Sequence, residues 1–148
     1  MAQPKLKTQY QSPQQSPGFL LWQISNKWQT QQKRALAKLN LTHVQFVLLA
    51  CIVWELGNIE FNQKQLATYA KTDPMMTSQV LRSLEKKQLL TRKPSKTDGR
   101  TLILNPTPTG IDLANKAVKV VEEIDKAFFS YLGPEKDQFT KLMLLIAN

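Results

Sequence analysis

The stretch from Asn62 to Asn105 constrains this chain most, because few folds accept two short helical patterns, a tight break and then a hairpin with a basic tip. The first pattern opens at Asn62, and Gln65 stands three residues on, where it can close a capping box. Leu66, Ala67 and Ala70 give it a small apolar face, and Lys71-Thr72-Asp73 breaks it. Asp73 then suits an N-cap, and Pro74 suits the first helical position, where no amide donor is needed. Thr77, Val80, Leu81 and Leu84 recur at i, i+3, i+4 and i+7, so they predict one buried stripe. That spacing turns Met75, Met76, Ser78, Gln79, Arg82, Ser83 and Lys86 outward. Gln suits adenine, Arg suits guanine and Met suits a thymine methyl, so this face reads as a recognition helix. Met75 and Met76 serve equally well as partial core filling. Two strand-like runs follow, Leu89 to Lys93 and Thr101 to Asn105, around the turn-rich basic loop Pro94 to Arg100. Helix-turn-helix followed by such a hairpin is a winged helix.

Charge agrees with an anionic partner. The formal net charge is +9, and residues 62–105 hold nine Lys/Arg against three Asp/Glu. Residues 106–148 hold five basic and six acidic residues, so the excess is not spread evenly as on a merely solvated surface. A chain of 148 residues with 42% hydrophobic residues fits one domain, or one domain plus an oligomerisation element. Its single cysteine, Cys51, rules out an internal disulfide and suits a reducing compartment. No membrane span or signal-peptide core is visible, and the expected location is cytoplasmic.

The flanking segments predict more helix. Met1 to Ser16, rich in Gln, Ser, Lys and Pro, is expected to be a flexible arm. Ser16-Pro17 starts a helix to about Leu39, closed by Asn40. Thr42 and Gln45 repeat the capping box and open an apolar helix from Val44 to Leu56, ended by Gly57. Phe46, Leu49, Ala50, Val53 and Trp54 are its expected core positions. Thr107-Pro108 opens a long helix to Leu132, Gly133-Pro134 breaks it, and a short apolar helix runs from Pro134 to Ala147. A small winged helix cannot cover that much apolar surface, so a helical homodimer built from both chain ends is expected. The reading is thus mainly α with a small β-hairpin wing: an arm over 1–16, dimerisation helices over 17–40 and 107–148, and a DNA-binding domain over 41–106.

Leu41-Thr42-His43-Val44-Gln45-Phe46, Gln65-Leu66-Ala67, Leu84-Glu85-Lys86-Lys87, Arg92-Lys93, Asp98-Gly99-Arg100 and Thr109-Gly110 occur in one order and spacing. That ordered set resembles the MarR (multiple antibiotic resistance regulator) family, over roughly Phe19 to the C-terminus. The resemblance implies a dimeric winged-helix transcription regulator, often a repressor released by a small molecule or oxidant. By this analogy Lys64, Lys86, Arg92, Lys93 and Lys96 meet phosphates and Arg100 enters the minor groove. Asp98 would hold Arg100 by an ion pair, although beside Gly99 it also reads as an ordinary turn residue. Family members often bind effectors between the dimer helices and the lobe, where Trp22, Trp28, Phe46, Trp54 and Phe128 are the aromatic candidates; core packing explains the same residues. Two positions depart from the family pattern. Gln88 stands where Gly usually follows the helix, and Pro106 replaces a common apolar residue.

Rival functions fare worse. A protein-binding winged helix would show an apolar or acidic outer face on its second helix. With one His, one Cys, no Gly-rich phosphate loop and no paired carboxylates, neither catalysis, a metal nor a cofactor is expected. His43 should cap or pack. A peroxide-responsive regulator acting through Cys51 is a narrower alternative, but no Lys or Arg stands close in sequence to stabilise a thiolate.

Overall fold

The chain's structure, a computed structural model, describes residues 5–148. Among these lie α1 (Pro17–Ala37), α2 (His43–Trp54), α3 (Gln63–Ala70), α4 (Pro74–Lys86), β1 (Leu90–Pro94), β2 (Leu102–Pro106), α5 (Pro108–Phe129) and α6 (Lys136–Ala147). Of the arm expected over 1–16, the first four residues lie outside the described part. The remainder holds one 3-10 turn, Pro13–Gln15, with no buried residue.

Local chemistry places most boundaries. Capping boxes close at Thr42–Gln45 and at Asn62–Gln65, each with both reciprocal hydrogen bonds made. Ser16 and Thr107 cap α1 and α5 with proline just inside the helix. Asn40, Lys71 and Gln88 take positive φ of 55°, 54° and 60°, so three helix exits turn left-handed without glycine. At Gln88 the backbone completes the motif: its amide donates to Glu85 O at 2.9 Å, and the Leu89 amide donates to Leu84 O at 2.9 Å. This answers the missing glycine at that position. Gly133, at φ 54°, makes the expected break between α5 and α6 through a 3-10 segment, Ser130–Glu135.

The core centres on α2. Phe46, Leu48, Leu49 and Ile52 are buried against Leu36 of α1, Leu66 of α3, Leu81 and Leu84 of α4, and Ala114, Ala117 and Val121 of α5. Each fully buried Leu is worth roughly 1.5–3 kcal/mol over exposure, so this cluster supplies most of the lobe's stability. One expectation fails here. Trp54 is 79% exposed, because it sits on the last turn of α2 beyond the packed stretch; Leu48 and Ile52 take the interior positions instead.

The wing is an antiparallel pair in register from Leu90↔Pro106 to Pro94↔Leu102. Phe61 adds one further rung, its carbonyl accepting from the Leu104 amide at 2.8 Å. Pro106 ends β2 and hands the chain to Thr107. The Thr107 hydroxyl donates to Gln88 O at 2.8 Å and accepts from the Gly110 amide at 3.0 Å, which ties α5 to the end of α4.

Candidate nucleic-acid interface

α4 is held by a polar clasp at its start and an apolar stripe along its length. Asp73 Oδ2 accepts from the Met76 amide at 2.9 Å, and Thr72 and Thr77 share a hydroxyl contact of 2.8 Å. Thr77, Leu81 and Leu84 are buried and Val80 half-buried, as their spacing predicts. The opposite edge is open. Met75 is 72% and Met76 47% exposed, which decides against core filling; Gln79, Arg82 and Lys86 are exposed beside them.

Two serines of the expected outer face differ. Ser78 is half-buried and holds Arg82, whose Nη2 donates to Ser78 Oγ at 3.1 Å. Ser83 turns inward: its hydroxyl donates to Val80 O at 2.6 Å and accepts from Gln45 Nε2 at 2.9 Å. A helix edge at the boundary of the buried stripe faces its neighbour helix rather than solvent, and Ser83 lies on that boundary.

At the wing tip, Asp98 shapes the turn. Its Oδ1 accepts from the Arg100 amide at 3.1 Å and its Oδ2 from the Thr101 hydroxyl at 3.0 Å. The expected Asp98–Arg100 ion pair is not formed; the carboxylate serves the turn, and Arg100 is exposed. Lys64, Lys93 and Lys96 are likewise exposed. Arg92, an expected phosphate ligand, is half-buried and already has partners within the chain. Its Nε pairs with Glu85 at 2.8 Å and its Nη1 donates to Gln63 at 3.0 Å, so the guanidinium braces the wing against α4 and α3.

Lys71, which the sequence offers only as part of the turn, is exposed beside these cations. A groove of about 530 Å³ between α3 and the first turn of α4 is lined by Lys64, Thr68, Lys71 and Pro74. The i, i+4 spacing of Lys64 and Thr68 puts those two on one face of α3, and Lys71 follows as its left-handed C-cap.

The aromatic residues do not gather into a crevice. Phe46 is buried in the core, whereas Trp22 of α1 and Trp54 of α2 are 63% and 79% exposed. Trp28 donates its indole N–H to Asp125 at 2.7 Å and meets His43 edge-on at 4.9 Å, bracing α1 against α5 and α2. Phe128 faces Lys27. A cleft of about 970 Å³ opens between α1 and the lobe, where the apolar Leu41, Val44 and Met76 stand beside the polar Lys33, Thr42 and His43. His43 packs there as expected: burial pushes its imidazole below the ordinary value, and the Asp125 carboxylate partly opposes this. Cys51 is half-buried, and burial together with Glu55 pushes its thiol up, which leaves it a poor nucleophile.

The outer edge of α4, the groove at its first turn and the wing tip present exposed cations and amide or thioether tips on the same lobe. Residues 41–102 match the MarR family model. The chain is 42% identical to an uncharacterized HTH-type transcriptional regulator, YdcH, of Bacillus subtilis over 142 residues, covering 95% of this chain and 97% of that one. It is 31% identical to the organic hydroperoxide resistance transcriptional regulator of Bacillus subtilis, over 69% of this chain and 67% of that one. The fold matches that of a transcriptional repressor, CouR, bound to a 23-mer DNA duplex, with a TM-score of 0.82 at 23% identity over 97% of this chain and 100% of the other. A winged lobe built on these motifs, with a full-length relative at this identity, makes the chain a member of the MarR family of transcription regulators.

Proposed function

We propose that the protein binds double-stranded DNA as a homodimer on an inverted-repeat operator and represses transcription there in the cytoplasm. The observation that carries this reading is the exposed edge of α4, where Gln79 and a Ser78-steadied Arg82 flank exposed methionines and face solvent. In the major groove Arg82 would take guanine O6/N7 and Gln79 adenine N6/N7, each discriminating by ~1–3 kcal/mol if bidentate. Lys64, Lys71, Lys86, Lys93 and Lys96 would pair with phosphates, and Arg100 would enter the minor groove. Each phosphate neutralised steepens the salt dependence of binding by roughly 0.9 in log–log slope.

The dimer would form through α1, α5 and α6. Two-fold symmetry would then set the recognition helices about one turn of DNA apart, ~34 Å. A small-molecule effector entering the cleft between α1 and the lobe would relieve binding by altering that separation. Selection of bound sequences from random duplex DNA tests the reading. The expected product is an inverted repeat with half-sites one helical turn apart; asymmetric or unrelated winners would overturn it.

A further inference from the structure

Gln45 is buried, yet its side chain spends every polar atom on a junction rather than on its own helix alone. Its Oε1 accepts from the Thr42 amide at 3.0 Å and from Lys87 Nζ at 3.1 Å, and its Nε2 donates to Ser83 Oγ at 2.9 Å. Lys87 Nζ also donates to the Asn40 carbonyl at 2.6 Å. Asn40 and Thr42 form the corner between α1 and α2, whereas Ser83 and Lys87 belong to the last turn of α4 and its cap. The Asn40 carbonyl is available because α1 exits there with φ of 55°. One ammonium and one amide therefore fasten the end of the reading helix to the end of the long helix α1. Hydrogen bonds to a charged donor are short and strong, and a buried amide left half-satisfied is costly, so the junction favours one geometry.

We propose that Gln45 and Lys87 are positioning residues for DNA recognition, a clamp that fixes α4 relative to α1 and thereby sets the half-site spacing that the protein accepts. Neither needs to touch DNA. The clamp rests on the dimeric reading above, since it acts through the distance between two copies of α4. Lys87, Gln45, Asn40 and Thr42 also line the cleft, so anything that enters there reaches the clamp directly. An occupant that draws the ammonium off Asn40 would free the C-terminal turn of α4 while leaving its apolar stripe seated.

The test compares wild type, Lys87→Met and Lys87→Arg on the selected operator and on versions with one base pair added or removed between half-sites. One base pair moves a half-site by ~3.4 Å and rotates it by ~35°. The wild type and Lys87→Arg, which keeps a charged donor, should prefer the native spacing by about tenfold or more, and Lys87→Met by about threefold or less. Loss of folded protein alone would weaken all three operators equally and leave the ratio unchanged. Spin labels on Gln79→Cys in a Cys51→Ser background give a second readout: Lys87→Met should broaden the distance distribution between the paired α4 helices. If Lys87→Met does not fold, Ser83→Ala, which removes only the hydroxyl that Gln45 binds, takes its place with the same expected narrowing. An unchanged spacing ratio in the folded variant overturns the clamp. A wild type that binds as a dimer yet ignores spacing also overturns it, and a wild type that does not bind as a dimer removes the reading beneath it.

Discussion

α4 and α6 are short helices of nearly equal length, and both carry an apolar face, yet the chain treats them in opposite ways. α4 buries Thr77, Leu81 and Leu84 within its own lobe. Lys136–Ala147 buries none of its residues: Leu144, Leu145 and Ile146 are 58%, 75% and 85% exposed. α1 repeats the pattern near its start, where Leu21 and Trp22 are 66% and 63% exposed. The polar residues outside on α4 are those that the proposed DNA contact would use. Apolar residues on α6 are outside because none of the described residues covers them, and an exposed face of that kind fits the proposed dimer. One half of the molecule packs within the chain, and the other leaves its apolar face uncovered.

The largest expected effect comes from breaking the uncovered half. Removing residues 134–148 should abolish the dimer and leave monomers or aggregates, read by light scattering on a sizing column. A clean, soluble dimer after truncation would put the interface elsewhere and remove the contrast between the two helices.

Next comes a change aimed at the packed half. Gly110, in the first turn of α5, lies so close to the link between α4 and β1 that a methyl group there would collide with the Leu89 carbonyl and the backbone around it. Backbone cannot swing aside as a flexible side chain can. Gly110→Ala should therefore destabilise the chain by about 3 kcal/mol, near the upper end of ordinary overpacking costs. Denaturant unfolding checks this, and a loss below about 1 kcal/mol would show that α5 shifts freely over the wing. Because the strain sits in the lobe, the folded fraction should still associate.

The contrast also explains what the sequence disclosed. Capping and spacing are local, so Asp73-Pro74, Asn62 with Gln65, Thr107-Pro108 and the stripe through Thr77 and Leu84 announced themselves within a few residues. The partners of Arg92 and Ser83, Glu85 with Gln63 and Gln45, come from other elements, so residue type alone does not show that Arg92 braces the wing or that Ser83 turns inward. Trp54 was misplaced for a related reason. α2 is apolar nearly all round, so periodicity could not say which positions face inward or where packing ends. Asp98 was half legible: a carboxylate beside glycine fits both a turn and an ion pair, and only geometry showed that its oxygens were already engaged. The five aromatic candidates line no common cleft among the described residues of one chain, since large rings define no cavity until their helices are placed.

The smallest expected effect sharpens how α4 is finished at its exit. Gln88 holds φ of 60°, a conformation that L side chains adopt at a cost of roughly 1–2 kcal/mol. The hydrogen bonds that define this exit, from the amides of Gln88 and Leu89, involve backbone alone, and the Gln88 carbonyl still serves Thr107 after substitution. Gln88→Gly would remove the side-chain penalty, but glycine gives back ~0.5–1 kcal/mol because it loses more freedom on folding. The difference favours the variant by about 0.5–1 kcal/mol, measured by denaturant unfolding at one fixed protein concentration, since any dimer makes stability depend on it. A destabilised Gln88→Gly would mean that the glutamine side chain holds the exit through contacts of its own, and that α4 is completed by more than its backbone.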